Sequence, residues 1–485
     1  MSETINTEKT YLELSEDAGV AHKFYEVTVE GCDMSIRYGR IGAKGTCSVT
    51  TLATPEKAVA EASKKIKAKE KKGYAVAVQG ERAPRAITRR TITSNRSTSK
   101  TAPVLWQFAS GADAFGIFVD EESCWVGNEK GSIFKLSPEG EVQRQFRLKD
   151  GVKSIVSDAD WLYAGCDDGK VYDLTGKMPR VAYDIEEGVD IYWIDIYDGL
   201  LGVSDANGNV LITNYEDEGI SKYKSKGDAG WMIRCDKERV YHGHSKGVTV
   251  YDGWEDPDKM SDDDVWDCKT KGQVLFGYQD DDMLYVGTTS NVVQSISKQG
   301  KIEQTYICDA SVFSCASSKG GEYIFAGDNY SSVYCFTKDG ERLWKLGTGC
   351  GSAYSMQYLN QKLYIVTTSG AMACIDASEE AISQAKEGTF TEAKSIKAPK
   401  AVEVLNDKEL EITKDISDGV VVKCTKKGSK LRVHVVSEGY EGSWNVQFPQ
   451  NLREEGTLYV IDEVKESGAG GFYRAYGDIK RLESE

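Results

Sequence analysis

The 485-residue sequence is poor in histidine, a common catalytic and metal-binding residue, and its cysteines are not clustered. It contains four histidines, and its twelve cysteines are scattered singly, with no C-x-x-C pair and no Cys/His cluster at zinc spacing. Scattered cysteines are typical of a reducing compartment and argue against a disulfide framework or a structural zinc. No apolar run approaches the roughly 18 residues that span a membrane, and the polar N-terminal segment lacks a signal-peptide pattern. We therefore expect a cytoplasmic protein with no membrane partner.

The charge is unevenly distributed along the chain. The formal net charge of −16 disfavours binding of the whole chain to nucleic acid or to an anionic membrane. Residues 1–100, however, hold 18 Lys and Arg against 12 Asp and Glu, whereas residues 101–407 hold 30 against 50. A basic N-terminal part on an acidic body predicts two different kinds of partner.

Residues 9–75 have the pattern of three strands followed by a helix. The segments KTYLELSED and HKFYEVTVEGCDMSIRYGRIG alternate apolar and polar residues, as half-buried strands do. Thr54, Pro55 and Glu56 then supply a capping hydroxyl, a proline for the first helical position and an acid for the positive end of the helix dipole. The helix ends in KKIKAKEKKGY, with six lysines in nine residues.

This segment resembles the WGR domain, a module of DNA-dependent poly(ADP-ribose) polymerases and of many bacterial proteins. The residues that stand at the motif positions are Arg37, Gly39, Arg40, Ile41, Gly42 and Gly45. Tyr38 stands where the name-giving tryptophan is expected. The resemblance implies that the aromatic residue and the following arginine help to hold a DNA end. Tyrosine keeps a π-face for a sugar or base, and Arg40 can make bidentate contacts to phosphate. No transferase domain follows, so polymerase activity is not implied.

We predict that nucleic acid contacts the segment around Tyr38 and the lysine-rich helix of this module. The predicted contact residues are Arg37, Tyr38, Gly39, Arg40, Lys44, Lys64, Lys67 and Lys71. Two alternatives stay open from the residues alone. Tyr38 and Arg40 can simply pack on the helix while the lysines form a solvated face, or the module can dock a protein instead of nucleic acid.

The middle of the chain repeats itself with a period near 40 residues. An apolar or aromatic residue, followed closely by glycine in most copies, recurs at intervals of 38, 38, 40, 44, 40 and 39 residues, at Trp125, Tyr163, Leu201, Tyr241, Tyr285, Phe325 and Tyr364. Each copy is followed by a polar turn and another alternating segment, which is typical of a β-propeller blade. The seventh unit lacks an outer strand, and PVLWQFASG before the first unit can supply it, so that no sheet edge stays exposed.

The fold class that follows is mainly β, with a small α+β WGR domain, a seven-bladed β-propeller and a small β-rich C-terminal domain. In the C-terminal part, DGVVVKCTKKGSKLRVHVV predicts a hairpin turning at KKGS. The expected boundaries are 1–76 for the WGR domain, 77–102 for a flexible basic linker, 103–387 for the propeller, 388–410 for a second linker and 411–485 for the C-terminal domain.

A second repeat places an acid just before an aromatic residue at the entry to the innermost strand of several blades. In a propeller these strands line the central channel, so the pattern predicts aromatic rings and carboxylates on one face, suited to a peptide or ligand with Lys or Arg. The residues of this predicted face are Asp113, Phe115, Asp190, Trp193, Asp228, Trp231, Asp309, Phe313 and Tyr354. The alternative is that the acids form turns and the aromatic residues pack between blades.

The sequence predicts no catalytic residue, metal or cofactor. His242 and His244 alternate in a strand and could share a metal, but no third ligand is indicated, and Asp205, Asn207 and Asn209 lack the distal glutamate of a calcium loop. We expect a non-enzymatic adaptor whose WGR module contacts nucleic acid or a protein and whose propeller binds proteins or peptides. A pure protein scaffold and, less favoured, a hydrolase or lyase on the propeller face are the alternatives; the oligomeric state is not indicated.

Overall fold

The structure is a computed structural model of the chain. It describes residues 7–15, 22–40, 45–72, 74–76, 94–159, 161–186, 188–214, 220–228, 230–253, 266–387, 394–397, 412–413, 419–428, 430–468 and 470–482. The chain divides into two compact units, residues 1–91 and residues 92–485.

The N-terminal unit is a five-stranded antiparallel sheet covered on one face by a helix. Its elements are β1 (Thr7–Ser15), β2 (His22–Glu30), β3 (Asp33–Arg40), β4 (Thr46–Thr51), α1 (Pro55–Glu70) and β5 (Ala75–Val76), with the sheet order β4-β3-β2-β1-β5. The predicted helix start is confirmed: Thr54 is the N-cap, its Oγ1 accepts from the amide of Lys57 at 3.3 Å, and Pro55 begins the helix. Ala58 and Ala62 of α1 pack on the apolar side chains of the sheet.

The second unit contains seven antiparallel sheets that we call blades 1 to 7. The strand before the first blade is β6 (Val104–Ala109). Blade 1 consists of β7 (Ala114–Val119), β8 (Cys124–Asn128), β9 (Ser132–Leu136) and β10 (Val142–Arg147). Blade 2 consists of β11 (Val152–Asp158), β12 (Trp161–Cys166), β13 (Lys170–Asp173) and β14 (Arg180–Asp184). Blade 3 consists of β15 (Ile191–Tyr197), β16 (Leu200–Asp205), β17 (Asn209–Thr213) and β18 (Ser221–Lys224).

The remaining four blades follow in the same order along the chain. Blade 4 consists of β19 (Met232–Cys235), β20 (Arg239–His244), β21 (Gly247–Asp252) and β22 (Trp266–Cys268). Blade 5 consists of β23 (Val274–Gln279), β24 (Met283–Thr288), β25 (Val292–Ser297) and β26 (Ile302–Ile307). Blade 6 consists of β27 (Val312–Ser317), β28 (Tyr323–Asp328), β29 (Ser332–Thr337) and β30 (Arg342–Gly347). Blade 7 contains β31 (Ala353–Leu359), β32 (Lys362–Thr367) and β33 (Ala371–Asp376). A short 3-10 turn, Lys319–Gly321, lies in blade 6, and α2 (Glu379–Glu387) follows blade 7.

The blades form a closed ring. The first strand of each blade contacts the first strand of the next, and β31 of blade 7 contacts β7 of blade 1. The predicted closing strand is confirmed, because β6 pairs antiparallel with β33 and becomes the outer strand of blade 7. Apolar side chains fill the spaces between adjacent blades, which is how a propeller buries both faces of every sheet.

Two segments that the sequence assigned to linkers pair with the propeller. Residues 94–101 lie beside blade 6, where Asn95 donates its amide to the carbonyl of Asn329 and Gly347 donates to that of Lys100. The strand β34 (Lys394–Lys397) adds to β6 in parallel. Their sequences lack apolar periodicity because these segments contribute backbone hydrogen bonds rather than core side chains. Residues 77–93 lie outside the described residues.

The C-terminal sheet is built around one long hairpin. Its elements are β35 (Ile412–Thr413), β36 (Val420–Lys427), β37 (Lys430–Val435), β38 (Asn445–Gln447), a 3-10 turn (Gln450–Leu452), β39 (Leu458–Glu466) and β40 (Phe472–Leu482). The strand order is β35-β40-β39-β36-β37, with β38 also paired to β40. The predicted hairpin at KKGS is confirmed by the antiparallel pairing of β36 with β37.

The C-terminal sheet docks on blades 2 and 3. Arg474 of β40 is 5% exposed, and its guanidinium lies 2.9 Å from Asp158 Oδ2 and 2.6 Å from Asp198 Oδ1. Both acids stand at the turn between the first two strands of their blades. The ring of Tyr476 meets that of Trp161 edge-on with centroids 6.5 Å apart. A buried arginine with two carboxylate partners fixes the orientation of this domain on the ring.

Candidate functional sites

The two faces of the N-terminal sheet carry different chemistry. Side chains alternate between the faces of a strand, so Tyr25 and Tyr38, which are cross-strand partners, share the face that carries α1. Phe24 and Glu26 point to the opposite face, as does Arg37, the partner of Glu26 in the pairing of β2 with β3. The predicted contact residues of β3 therefore do not form one surface.

Arg37 is held by the protein itself. Its guanidinium donates two 3.0 Å hydrogen bonds to the carboxylate of Glu26 and lies 4.7 Å from the centroid of the Phe24 ring. Lys9 approaches the same carboxylate at 2.9 Å. The hydrogen bond from Arg37 is the main cause that holds the pKa of Glu26 below its ordinary value. This bidentate pair matches the charge of the guanidinium with a carboxylate of the same sheet, so Arg37 stabilises the sheet here.

The glycines of the WGR-like segment make room for Phe24. A Cβ on Gly45 would lie 2.5 Å from Cζ of Phe24, and a Cβ on Gly39 would lie 3.2 Å from its Cε1. Gly45 also has a φ of +70°, which favours glycine. Gly39 therefore makes room for the 2% exposed Phe24 ring.

A basic and aromatic cluster lies beside α1 on the other face of the sheet; we call it the Tyr38 cluster (Lys23, Tyr25, Tyr38, Lys69, Lys72 and Tyr74). Tyr38 is 47% exposed, and its ring centroid is 6.4 Å from that of Tyr25. The ammonium of Lys69 lies 4.4 Å from the Tyr25 centroid and 5.0 Å from that of Tyr74. Burial and then the positive charges of Lys72 and Lys23 lower the pKa of Lys69. No carboxylate is among those causes, so the charge of the cluster is positive.

The other three predicted lysines lie on the outward side of α1. Lys64, Lys67 and Lys71 line a groove of about 430 Å³ together with Ala60, Ser63 and Ala68. This side is turned away from Ala58 and Ala62, which pack on the sheet, because residues two or five positions apart fall on opposite sides of a helix. Lys44 and the side chain of Arg40 lie outside the described residues.

The innermost strands of the propeller share one irregularity. In six of them, among the described residues, the pairing with the second strand skips one residue near the N-terminal end of the strand. Such a β-bulge redirects the side chain of the extra residue. The skipped residues are Phe115, Lys153, Tyr192, Leu275, Phe313 and Tyr354; in blade 4 the corresponding residue, Trp231, directly precedes β19. We call these seven residues the channel collar.

Five rings of the channel collar form a continuous stack. The centroids of Phe115 and Tyr354 are 4.3 Å apart, and those of Tyr192 and Trp231 are 4.5 Å apart. A contact of 6.5 Å between Phe115 and Trp231 joins the two pairs, and a contact of 6.1 Å between Phe313 and Tyr354 adds the fifth ring. All four ring pairs are within 27° of parallel. Because Phe115 and Trp231 belong to blades 1 and 4, the stack crosses the channel.

Lys153 is the one cation of the collar. Its ammonium lies 4.7 Å from the Phe115 centroid and 2.8 Å from Asp167 Oδ2, and both partners of this ion pair are almost fully buried. Burial raises the pKa of Asp167 to about 7 against the opposing effect of Lys153, and the charges of Asp190 and Asp150 add to the increase. Asp190 and Asp150 therefore place negative charge around Asp167 at the mouth of the channel near blades 2 and 3.

The comparisons with known proteins identify the N-terminal domain. Residues 8–81 match the family model described as "WGR domain". The N-terminal domain is a WGR domain. No curated protein matches the chain. Two solved structures share 11% identity with it: the WD40 β-propeller domain of Doa1, covering 58% of this chain and 98% of that one at a TM-score of 0.48, and the computationally designed Ika8 protein, covering 57% and 99% at 0.45.

The propeller is established by the pairing of its own strands. The WGR match lies within the first unit, where Tyr38 is 47% exposed on the sheet.

The acids of the predicted propeller face differ in their surroundings. Asp190 is 6% exposed, Asp113 is half-buried, and Asp228 is exposed. Asp309 pairs with Arg342 at 2.7 Å and with Lys345 at 2.9 Å, both on β30, and the hydrogen bond from Lys345 is the main cause that lowers its pKa. A uniform ring of carboxylates around the aromatic residues is therefore not present among the described residues.

Trp193 does not belong to the collar. It is 7% exposed and meets the Phe276 ring edge-on with centroids 5.3 Å apart, in the packing between blades. The bulge turns Tyr192 into the channel instead. The signal in the sequence was the spacing from the acid: Tyr192 follows Asp190 by two residues, as Phe115 follows Asp113. Lys153 was also missed, although it stands one blade period after Phe115.

No metal site is evident at the two histidines. His244 Nε2 lies 2.9 Å from Thr249 Oγ1, which donates to Asp267, while His242 is 1% exposed in the blade. Within the described part of the chain, no group of three His, Cys, Asp or Glu side chains could hold a metal ion. No described helix is long and apolar enough to cross a membrane.

Proposed function

We propose that the protein is a non-enzymatic adaptor, in which the WGR domain binds nucleic acid through the Tyr38 cluster and the propeller binds a protein partner. The binding of nucleic acid by the WGR domain is supported by the positive charge around an exposed aromatic ring. Lysines attract phosphate, and a half-exposed ring offers a surface for a base or sugar. The groove of Lys64, Lys67 and Lys71 on the far side of α1 is a second basic surface.

The propeller half of the proposal is supported by the architecture. The part of the chain that forms the blades, residues 101–407, carries the excess of acids, so it is a poor surface for nucleic acid. Its channel collar presents aromatic residues, the type that is enriched where proteins bind one another. An adaptor with one basic and one acidic unit can hold two unlike partners at once.

Binding of the full-length protein to a fluorescein-labelled 20-base-pair blunt duplex is expected to weaken steeply with salt. Contacts from Lys23, Lys69 and Lys72 predict a slope of about −3 for the logarithm of the association constant against that of salt concentration. The double variant Lys23→Gln/Lys72→Gln should reduce this slope by about 2. Tyr38→Ala should weaken binding roughly tenfold with little change in slope, because stacking is worth about 1–3 kcal/mol per base.

The control is Lys57→Gln, which removes the same charge from α1 about 18 Å along the helix from Lys69. It should bind like the wild type. Lys67→Gln/Lys71→Gln tests the outward groove in the same assay, and a larger effect there than at the Tyr38 cluster would contradict our choice of surface. No binding at 50 mM salt, or a flat salt dependence, would leave a pure protein scaffold as the function.

A further inference from the structure

The mouth of the propeller channel contains a buried carboxylate oxygen that the described residues leave without a hydrogen bond. Asp167 is 2% exposed, and its Oδ2 accepts from Lys153, whereas its Oδ1 has no partner among them. Leaving a buried acceptor unsatisfied costs about 1–3 kcal/mol, and more when it is charged. An N–H donor brought by a ligand would remove that cost.

The charges around this oxygen favour a cation. The charges of Asp190 and Asp150 act on Asp167, whose ion-pair partner is Lys153. Asp190 and Asp150 both raise the pKa of Asp167, so each acts on this carboxyl as a negative charge and would attract an added cation. A second positive group placed here would be attracted by the carboxylates and would satisfy Oδ1.

The channel collar supplies flat apolar surfaces beside the same carboxylate. Lys153 links the two, since its ammonium contacts both the Phe115 ring and Asp167. Phe115 and Tyr354 are each 8% exposed, whereas Tyr192, Trp231 and Phe313 are half-buried and so present part of their rings to a ligand. Nearly parallel rings suit a planar cation, because a guanidinium can stack on a ring and donate in its plane to a carboxylate.

We propose that the channel mouth binds an arginine side chain of a partner protein, with the guanidinium stacked on the half-buried rings of the channel collar and donating to Asp167 Oδ1. The proposal rests on the proposed function of the propeller as a protein-binding unit and names the chemistry that it recognises. It assigns Lys153 a positioning role, since its ion pair with Oδ2 orients Asp167 so that Oδ1 is left for the incoming donor.

The test is a calorimetric titration of the full-length protein with three N-acetylated, C-amidated peptides of sequence Gly-Ser-X-Ser-Gly, in which X is arginine, lysine or norleucine. We expect the arginine peptide to bind at low salt and the norleucine peptide to bind at least tenfold more weakly, because norleucine has a side chain of similar reach without charge. Equal binding of the arginine and norleucine peptides, tighter binding of the lysine peptide, or no binding of any at millimolar concentration would overturn the proposal.

Variants of the protein separate the site from the rest of the surface. Trp231→Ala, and the charge-neutral pair Lys153→Met/Asp167→Asn, should each weaken binding of the arginine peptide at least tenfold while the circular dichroism spectrum stays that of the wild type. Asp309→Asn is the matched control, because Arg342 and Lys345 already neutralise this acid, and it should leave peptide binding unchanged. An effect of Asp309→Asn as large as that of Trp231→Ala would contradict the assignment.

The DNA and peptide assays can fail independently. Tyr38→Ala lies in the other unit and should leave the peptide titration unchanged. If the peptides fail while a native partner still binds the propeller, the arginine assignment is wrong and the adaptor function stands. If no partner binds the propeller at all, the proposed function itself fails.

Discussion

Replacing Arg474 with alanine is expected to lower the free energy of unfolding by about 3–5 kcal/mol, the usual cost of removing one partner from a buried ion pair. The variant leaves Asp158, which is 6% exposed, without its cationic partner, and it removes the 2.6 Å contact to Asp198. The C-terminal sheet should then separate from blades 2 and 3 before the ring unfolds. Urea denaturation followed by tryptophan fluorescence, with hydrogen exchange of the β40 amides, measures both effects.

Arg481→Ala is the matched control for this prediction. Arg481 stands on the same strand and pairs with Glu454 at 2.6 Å, but the two side chains are 41% and 57% exposed. A solvent-exposed pair contributes about 0–1 kcal/mol, so this variant should unfold close to the wild type. If Arg474→Ala cost no more than Arg481→Ala, the buried contact would not be what holds the C-terminal domain on the propeller.

The wild-type protein should lose about 2 kcal/mol of stability relative to a His242→Leu variant when the pH falls from 8 to 5. Burial, and to a smaller extent the charge of His244, lowers the pKa of His242 to about 3. In the unfolded chain the imidazole takes up a proton as the pH falls below about 6.5, whereas in the folded protein it stays neutral down to about 3. Stability that is present above pH 6.5 is therefore lost as the pH falls.

The surroundings of His242 explain why the ring stays neutral. Its two ring nitrogens have no hydrogen-bond partner among the described residues, and a Cβ on Gly230 would lie 2.5 Å from Nε2. Leucine fills a similar volume without a group to protonate. Urea midpoints of wild type and variant at pH 8, 7, 6 and 5 give the comparison, with near-ultraviolet circular dichroism as the check on packing. A difference between the two proteins that did not change with pH would contradict the assigned pKa.

Much of the architecture could be predicted because it depends on local patterns. The interval near 40 residues between Trp125 and its later copies indicated the blades, and the apolar alternation of residues 103–109 indicated the strand that closes the ring. The Thr54-Pro55 start of α1 followed from hydrogen-bonding chemistry at a helix end. In each case the signal is the type of residue and its spacing along the chain, both of which can be read without the tertiary structure.

The sites were predicted less well, because they depend on which side a strand or helix presents. Arg37 and Tyr38 are adjacent in sequence, yet the pleat of β3 places their side chains on opposite faces of the sheet. Arg37 pairs with Glu26, whereas Tyr38 lies beside Tyr25, whose ring contacts Lys69. A single-residue bulge likewise put Tyr192 rather than Trp193 into the channel. A shift of one residue in strand register decides which face a side chain occupies, and the amino-acid composition does not specify that register.

The sequence by itself determined the WGR segment, the seven repeats, the closing strand and the division of charge between a basic end and an acidic ring. Those features follow from residue type and spacing along the chain. Only the tertiary structure decided that Arg37 is held by Glu26, that Lys153 and Asp167 lie beside a stack of rings from five blades, and that Arg474 reaches Asp158. The paired residues are 11 positions apart for Arg37 and Glu26, 14 for Lys153 and Asp167, and more than 300 for Arg474 and Asp158. A buried charge finds its partner only when the fold is complete.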